Sequence, residues 1–138
     1  MAEQFSMLVV DDDQLCRVIL QGVLSSYGDI HFAKNGKQGL QQFQDAYEKG
    51  QPYSVVFMDL VMPEMNGWQA VLKIRELEAR LNIHQKTKIV IASSKRYDKG
   101  GEILESFKEA GVDLFLEKPV ASSHVDGFMM SFGYLKKG

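Results

Sequence analysis

Five short apolar runs constrain this chain more than any other feature: MLVV (7–10), IHFA (30–33), SVVFM (54–58), KIVIA (88–92) and VDLFL (112–116). Apolar runs this short, bounded by polar and turn residues, suit strands. Four of them alternate little between apolar and polar residues, as strands covered on both faces do; IHFA is weaker and suits an edge. The intervening segments carry a helical period instead. Leu15, Ile19 and Val23 share one helix face, as do Leu40, Phe43 and Tyr47. Val71, Ile74, Leu77 (or Glu78) and Leu81 repeat the spacing, and so do Ile103 or Leu104, Phe107 and Ala110 or Gly111. A last set, Val125, Phe128, Met129 and Phe132, falls at i, i+3, i+4 and i+7 in a segment that Gly127 and Gly133 interrupt.

Strand and helix therefore alternate five times. This predicts an α/β domain, a parallel sheet with helices on both faces joined by right-handed crossovers. The 138 residues contain no linker, repeat or low-complexity tract, so one domain is expected over 1–138. A formal net charge of −2 with no clustered Lys and Arg speaks against nucleic acid or an acidic membrane as partner. No apolar run approaches the ~20 residues that span a bilayer. The opening MAEQFSM lacks the basic and long apolar regions of a secretory signal. Cys16 is the single cysteine, which excludes an internal disulfide, and its apolar neighbours predict a buried helix position. A soluble cytoplasmic protein is the expectation.

In parallel sheets of this kind, ligands gather at the carboxyl ends of the strands. Here the first strand leads into Asp11, Asp12 and Asp13, the third into Asp59, the fourth into Ser93 and Ser94, and the fifth into Glu117, Lys118 and Pro119. Asp13 directly precedes a helical segment and suits an N-cap. The remaining carboxylates would repel one another unless a cation sat among them. Oxygen donors of this type suit Mg²⁺, which commonly uses one or two carboxylates plus waters and phosphate oxygens. An ammonium at Lys118 and a hydroxyl at Ser93 complete a cradle for a phosphoryl group. Asp59, ionised at neutral pH, is then the nucleophile, able to form an acyl phosphate without a general base. Taken singly, the serines suit a loop, Lys118 a solvated surface, and Pro63 with Asn66-Gly67 a turn. Their joint position after the right strands carries the reading. His31, His84 and His124 show no metal-ligand spacing.

LVVDDD, VVFMDLVMPEMNGW, IVIASS and FLEKP, in that order, closely resemble the receiver domain of two-component response regulators, from about Phe5 to the final helix. The resemblance implies a flavodoxin-like (βα)5 fold with strand order 2-1-3-4-5 and no output domain in this chain. It implies Asp59 as phosphoacceptor, Lys118 as the phosphoryl-contacting lysine, and Asp11 and Asp12 as the acid pair that organises Mg²⁺, or Mn²⁺ in its place. Asp12 would be the direct ligand, Asp11 would act through water, and the Val61 backbone carbonyl would be a further ligand. Ser93 and Phe115 match the hydroxyl and aromatic switch positions, where Thr and Tyr are more usual. Val61 and Lys95 match positions that influence acyl-phosphate lifetime, and a cis bond would precede Pro119. Implied partners are a sensor histidine kinase or histidine phosphotransfer protein and a downstream protein target, reached through the surface of the fourth helix, fifth strand and fifth helix. The protein would phosphorylate and dephosphorylate itself without being a turnover enzyme.

Three other readings compete on the residues. VVDDDQL also fits the DxD signature of haloacid-dehalogenase-like phosphatases, with Asp11 as nucleophile and Asp13 as acid/base, although only Asp126 follows Lys118 where more metal-binding acids are needed. A receiver-shaped docking module that works without phosphorylation is a second. Flavin binding is a third, and it lacks a phosphate-cradling loop after the first strand.

Overall fold

The computed structural model describes residues 5–60, 67–83, 85–93, 108–118 and 120–134. In chain order they form β1 (Ser6–Val10), α1 (Gln14–Leu24), β2 (Asp29–Ala33), α2 (Gly36–Glu48), β3 (Val55–Asp59), α3 (Gly67–Arg80), β4 (Lys88–Ser93), β5 (Leu114–Glu117) and α4 (Ser122–Ser131). All strand pairs are parallel and the sheet order is β2-β1-β3-β4-β5. This is the flavodoxin-like arrangement expected from the sequence. The helical segment expected between β4 and β5 falls largely on residues 94–107, outside the described residues.

The lack of alternation in the strands has a direct structural cause. Successive side chains of a strand point to opposite faces, and here both faces are covered. Leu8, Val10, Val56, Met58, Ile89 and Ile91 join one core with Phe43, Val71 and Ile74 from α2 and α3. Met7, Val9, Val55, Phe57, Val90 and Ala92 join the other with Leu20, Leu24, Val125 and Met129 from α1 and α4. The helices start where their caps allow. Asp13 accepts a hydrogen bond from the Leu15 amide at 3.0 Å, the expected N-cap. Asn35 accepts from the Gln38 amide at 2.8 Å, while the Gln38 side chain accepts from the Lys34 amide at 2.9 Å.

Three expectations are corrected. On α1 the buried residues are Cys16, Leu20 and Leu24, whereas Leu15 and Ile19 are exposed, so the inward face is turned one residue from the expected one. The helix carries apolar residues on most of its circumference, and only docking against the sheet selects a face. The strand read as VDLFL is β5 at the sheet edge, only half-buried because it has a neighbour on one side. Leu81 lies just past the end of α3 and is exposed. Among the described residues no helix is long and apolar enough to cross a membrane.

Candidate functional site

The strand register brings the acids together. Val9 pairs with Phe57 and Val10 with Met58, so one further step along β1 and β3 sets Asp11 beside Asp59. Asp59 is itself the last residue of β3 and pairs with Ala92 of β4. The chain then leaves the strand and re-enters a helix almost at once. A Cβ on Gly67 would collide with the Asp59 carbonyl oxygen, so the close abutment of α3 on the strand end requires glycine there. Val61, Pro63 and Asn66 lie outside the described residues, as do His84, Ser94, Lys95 and Pro119.

Asp11 is held on every side. Its backbone amide donates to the Ala33 carbonyl at 3.0 Å. One carboxylate oxygen accepts from the Asp13 amide at 2.9 Å and the other from Lys118 Nζ at 2.7 Å. Its carbonyl accepts from the Arg17 guanidinium at 2.6 Å. Asp11 and Asp59 are buried while Asp12 is exposed. Ligand atoms of Asp11, Asp12 and Asp59 lie within 4.8 Å of one another. Lys118 Nζ stands 3.6 Å from Asp59 Oδ1, closing the cluster from the β5 side. The lysine is placed there by its own backbone, whose amide donates to the Ser93 carbonyl at 2.8 Å.

Charge and burial act on these groups in opposition. Burial works to lower the Lys118 pKa, but the hydrogen bond and charge of Asp11, aided by Asp59, outweigh it and hold the ammonium above 10.5. Cys16 lies just behind the acids, and burial with a hydrogen bond to Asp11 pushes its thiol up to about 12. That thiol stays protonated and inert at neutral pH. The donor set fits a hard divalent cation: three carboxylates against one ammonium leave negative charge to neutralise, and all the donors are oxygen. Asp12 is the acid with room for it. Its carboxylate makes no hydrogen bond or ion pair among the described residues, unlike that of Asp11.

Of the described residues singled out by sequence, Asp11, Asp12, Asp59 and Lys118 meet at this edge, and Ser93 ends a strand there. Ser93 ends β4 and is fully buried, and Phe115 lies on β5, half-buried against the α2–α3 core. Asp13, the acid/base of the phosphatase alternative, is spent as a helix cap. Sequence reasoning missed Arg17 and the Cys16–Asp11 contact. A cation in the first turn of α1 was the available signal, since the helix dipole disfavours positive charge there.

Comparison with known proteins agrees with this geometry. The model of the response regulator receiver domain matches residues 7–126, and the chain belongs to that family. The two-component response regulator ORR41 of Oryza sativa subsp. japonica is 30% identical over 129 residues, spanning 91% of this chain and 92% of that protein. Hybrid signal transduction histidine kinase I of Dictyostelium discoideum is 34% identical over 115 residues, 83% of this chain but 6% of the kinase. Matches to other histidine kinases likewise cover a small part of their length. Two solved structures share the fold. One is the Saccharomyces cerevisiae complex of the histidine phosphotransfer protein Ypd1 with the receiver domain of Ssk1 (TM-score 0.77, 21% identity, 96% of this chain and 91% of that one). The other is the CheX–CheY–BeF3–Mg²⁺ complex of Borrelia burgdorferi (TM-score 0.76, 20% identity, 93% and 89%). The chain is a receiver domain of two-component signalling.

Proposed function

We propose that this receiver accepts a phosphoryl group on Asp59 from a phospho-histidine partner, in a Mg²⁺-dependent reaction, and signals through a change of surface. The observation that carries it is the clustering of Asp59 with Asp11 and Asp12, with Lys118 Nζ 2.7 Å from Asp11 and 3.6 Å from Asp59 Oδ1. An Asp59 carboxylate oxygen attacks phosphorus, the P–N bond to the donor imidazole breaks, and the imidazole leaves with the electron pair and is protonated. Asp59 then carries an acyl phosphate. Bound Mg²⁺ would supply charge neutralisation for the phosphoryl oxygens, with Asp12 as direct ligand, Asp11 acting through water, and the Val61 carbonyl as a further donor. Mn²⁺ would serve in its place. Lys118 holds Asp11 in its ground state and is within reach of a phosphoryl oxygen on Asp59.

The donor is read as a protein, a sensor histidine kinase or histidine phosphotransfer protein. Leu15, Val18 and Ile19 support this, because they are exposed at 66%, 55% and 38% on the helix that starts at the acids. The structure of the Ypd1–Ssk1 pair offers an example in another receiver. For output, the Ser93 hydroxyl moves toward the new phosphoryl and Phe115 turns into the space it vacates, remodelling the surface that a downstream protein reads. The phosphoryl group shifts this equilibrium only by its difference in affinity for the two states. A cytoplasmic location fits such a partner.

Intact mass after incubation with acetyl phosphate tests the reading. The expected result is a gain of one phosphoryl group that needs Mg²⁺ and is absent in Asp59→Ala. No adduct on wild type, with the donor intact, would overturn it in favour of docking without phosphorylation. Donor turnover that survives Asp59→Ala and fails in Asp11→Ala would overturn it in favour of a phosphatase.

A further inference from the structure

We propose that Arg17 is a positioning residue for the acid pair, orienting Asp12 toward the cation through the peptide bond that joins Asp11 to Asp12. The inference rests on the cation site of the function proposed above. Arg17 closes the first turn of α1, where its amide donates to the Asp13 carbonyl at 3.1 Å. A positive charge in that turn opposes the helix dipole, so the helix gains nothing from an arginine there. Asp11, Asp12 and Asp13 precede it in sequence, yet among the described residues the guanidinium forms no ion pair with them. Its hydrogen bond goes instead to a neutral atom, the Asp11 carbonyl oxygen, at 2.6 Å.

That oxygen belongs to a planar unit. The Asp11 carbonyl, the Asp12 amide and the Asp12 Cα are held in one plane by the peptide bond. The Asp11 side is already fixed, by its amide on Ala33 and its carboxylate on Asp13 and Lys118. Anchoring the carbonyl removes the remaining rotation of the plane, and with it the freedom of the Asp12 Cα. Asp12 is the exposed acid whose own carboxylate nothing else among the described residues restrains. Its approach to Asp11 and Asp59 therefore depends on where its backbone is held.

The sign of the effect separates positioning from charge. By charge alone, removing a cation beside a Mg²⁺ site tightens Mg²⁺ binding, and Arg17→Lys changes nothing. By positioning, Arg17→Met weakens binding despite the lost repulsion. Arg17→Lys weakens it too, because a flexible ammonium does not reproduce the planar fork.

Calorimetric titration of the whole chain with Mg²⁺ alone decides between them, with thermal unfolding in the absence of Mg²⁺ as the check that each variant is folded. The expected result is a rise in Kd of about tenfold in both variants, the scale on which groups behind metal ligands act. An unchanged or tighter Kd in Arg17→Met, or a wild-type Kd in Arg17→Lys, overturns the proposal. Wild type that binds Mg²⁺ but forms no Asp59 adduct overturns the phosphoacceptor reading and leaves Arg17 decided by its Kd. Wild type that binds no Mg²⁺ overturns both.

Discussion

Opposite ends of one sheet carry two charge clusters built on opposite plans. At the carboxyl edge, Asp11, Asp12 and Asp59 face a single ammonium, and Asp12 is left open. At the other edge one guanidinium is surrounded by acceptors. Arg75 donates to Glu78 at 2.6 Å, to the Thr87 carbonyl at 2.9 Å, to the Gly111 carbonyl and to Asp113 at 3.2 Å. The acids there are engaged in turn, Glu78 by the Thr87 amide and Asp113 by the Ile89 amide, each at 2.8 Å. Gly111, with φ at +94°, supplies a carbonyl where a side chain would press on Arg75. The saturated cluster ties the end of α3 to the starts of β4 and β5. At the carboxyl edge the exposed Asp12 carboxylate, which makes no bond among the described residues, is open to a ligand. Charge burial alone therefore does not mark a functional site; here an acid left open beside buried ones does.

This contrast is breakable by experiment, and the largest effect belongs to the saturated end. Arg75→Met strands the buried Glu78 without its cation, so urea unfolding should give a loss of about 3–5 kcal/mol. A loss as small as that of a surface ion pair would erase the distinction between the two ends.

A hydrogen bond to a carboxylate outside both clusters gives a smaller effect with its own pH signature. The buried Tyr27 hydroxyl donates to Asp126 at 2.6 Å, joining the end of α1 to α4. Burial, with help from Asp126, pushes its pKa from 10.0 up to about 12. The folded state then keeps a proton that the unfolded chain loses, so this stability is complete below pH 10 and disappears as pH rises toward 12. Tyr27→Phe should lose about 2 kcal/mol at neutral pH. It should also flatten the decline of melting temperature above pH 10. A decline as steep as that of wild type would assign the alkaline loss to other groups.

The smallest effect on stability, opposite in sign, belongs to the open acid. Asp12→Asn relieves repulsion without breaking a bond, so the melting temperature without Mg²⁺ should equal or exceed that of wild type. The rise in melting temperature on adding Mg²⁺ should vanish in this variant. A destabilised Asp12→Asn would make Asp12 a structural acid like Glu78.

The candidate site was legible because its parts are local. Asp11 and Asp12 follow one apolar run and Asp59 another, and parallel strands bring their ends to one edge. The Arg75 cluster was not legible. Glu78 shares a helical repeat with Leu77, and period alone offered either residue as the inward one; both are buried. Arg17 left a signal, a cation in the first turn of α1, but its partner is a backbone carbonyl that no side-chain pattern encodes.

By itself, the sequence determined the strand count, the parallel α/β architecture and the edge where Asp11, Asp12, Asp59 and Lys118 meet. Those features follow from periodicity and chain order, which need no knowledge of distant contacts. The expected burial of Cys16 is borne out, but only the tertiary structure decided that Leu20 and Leu24 turn inward with it, leaving Leu15, Val18 and Ile19 in solvent. A helix apolar around most of its circumference has several nearly equivalent faces. The choice among them is made by the sheet and the helix it packs against.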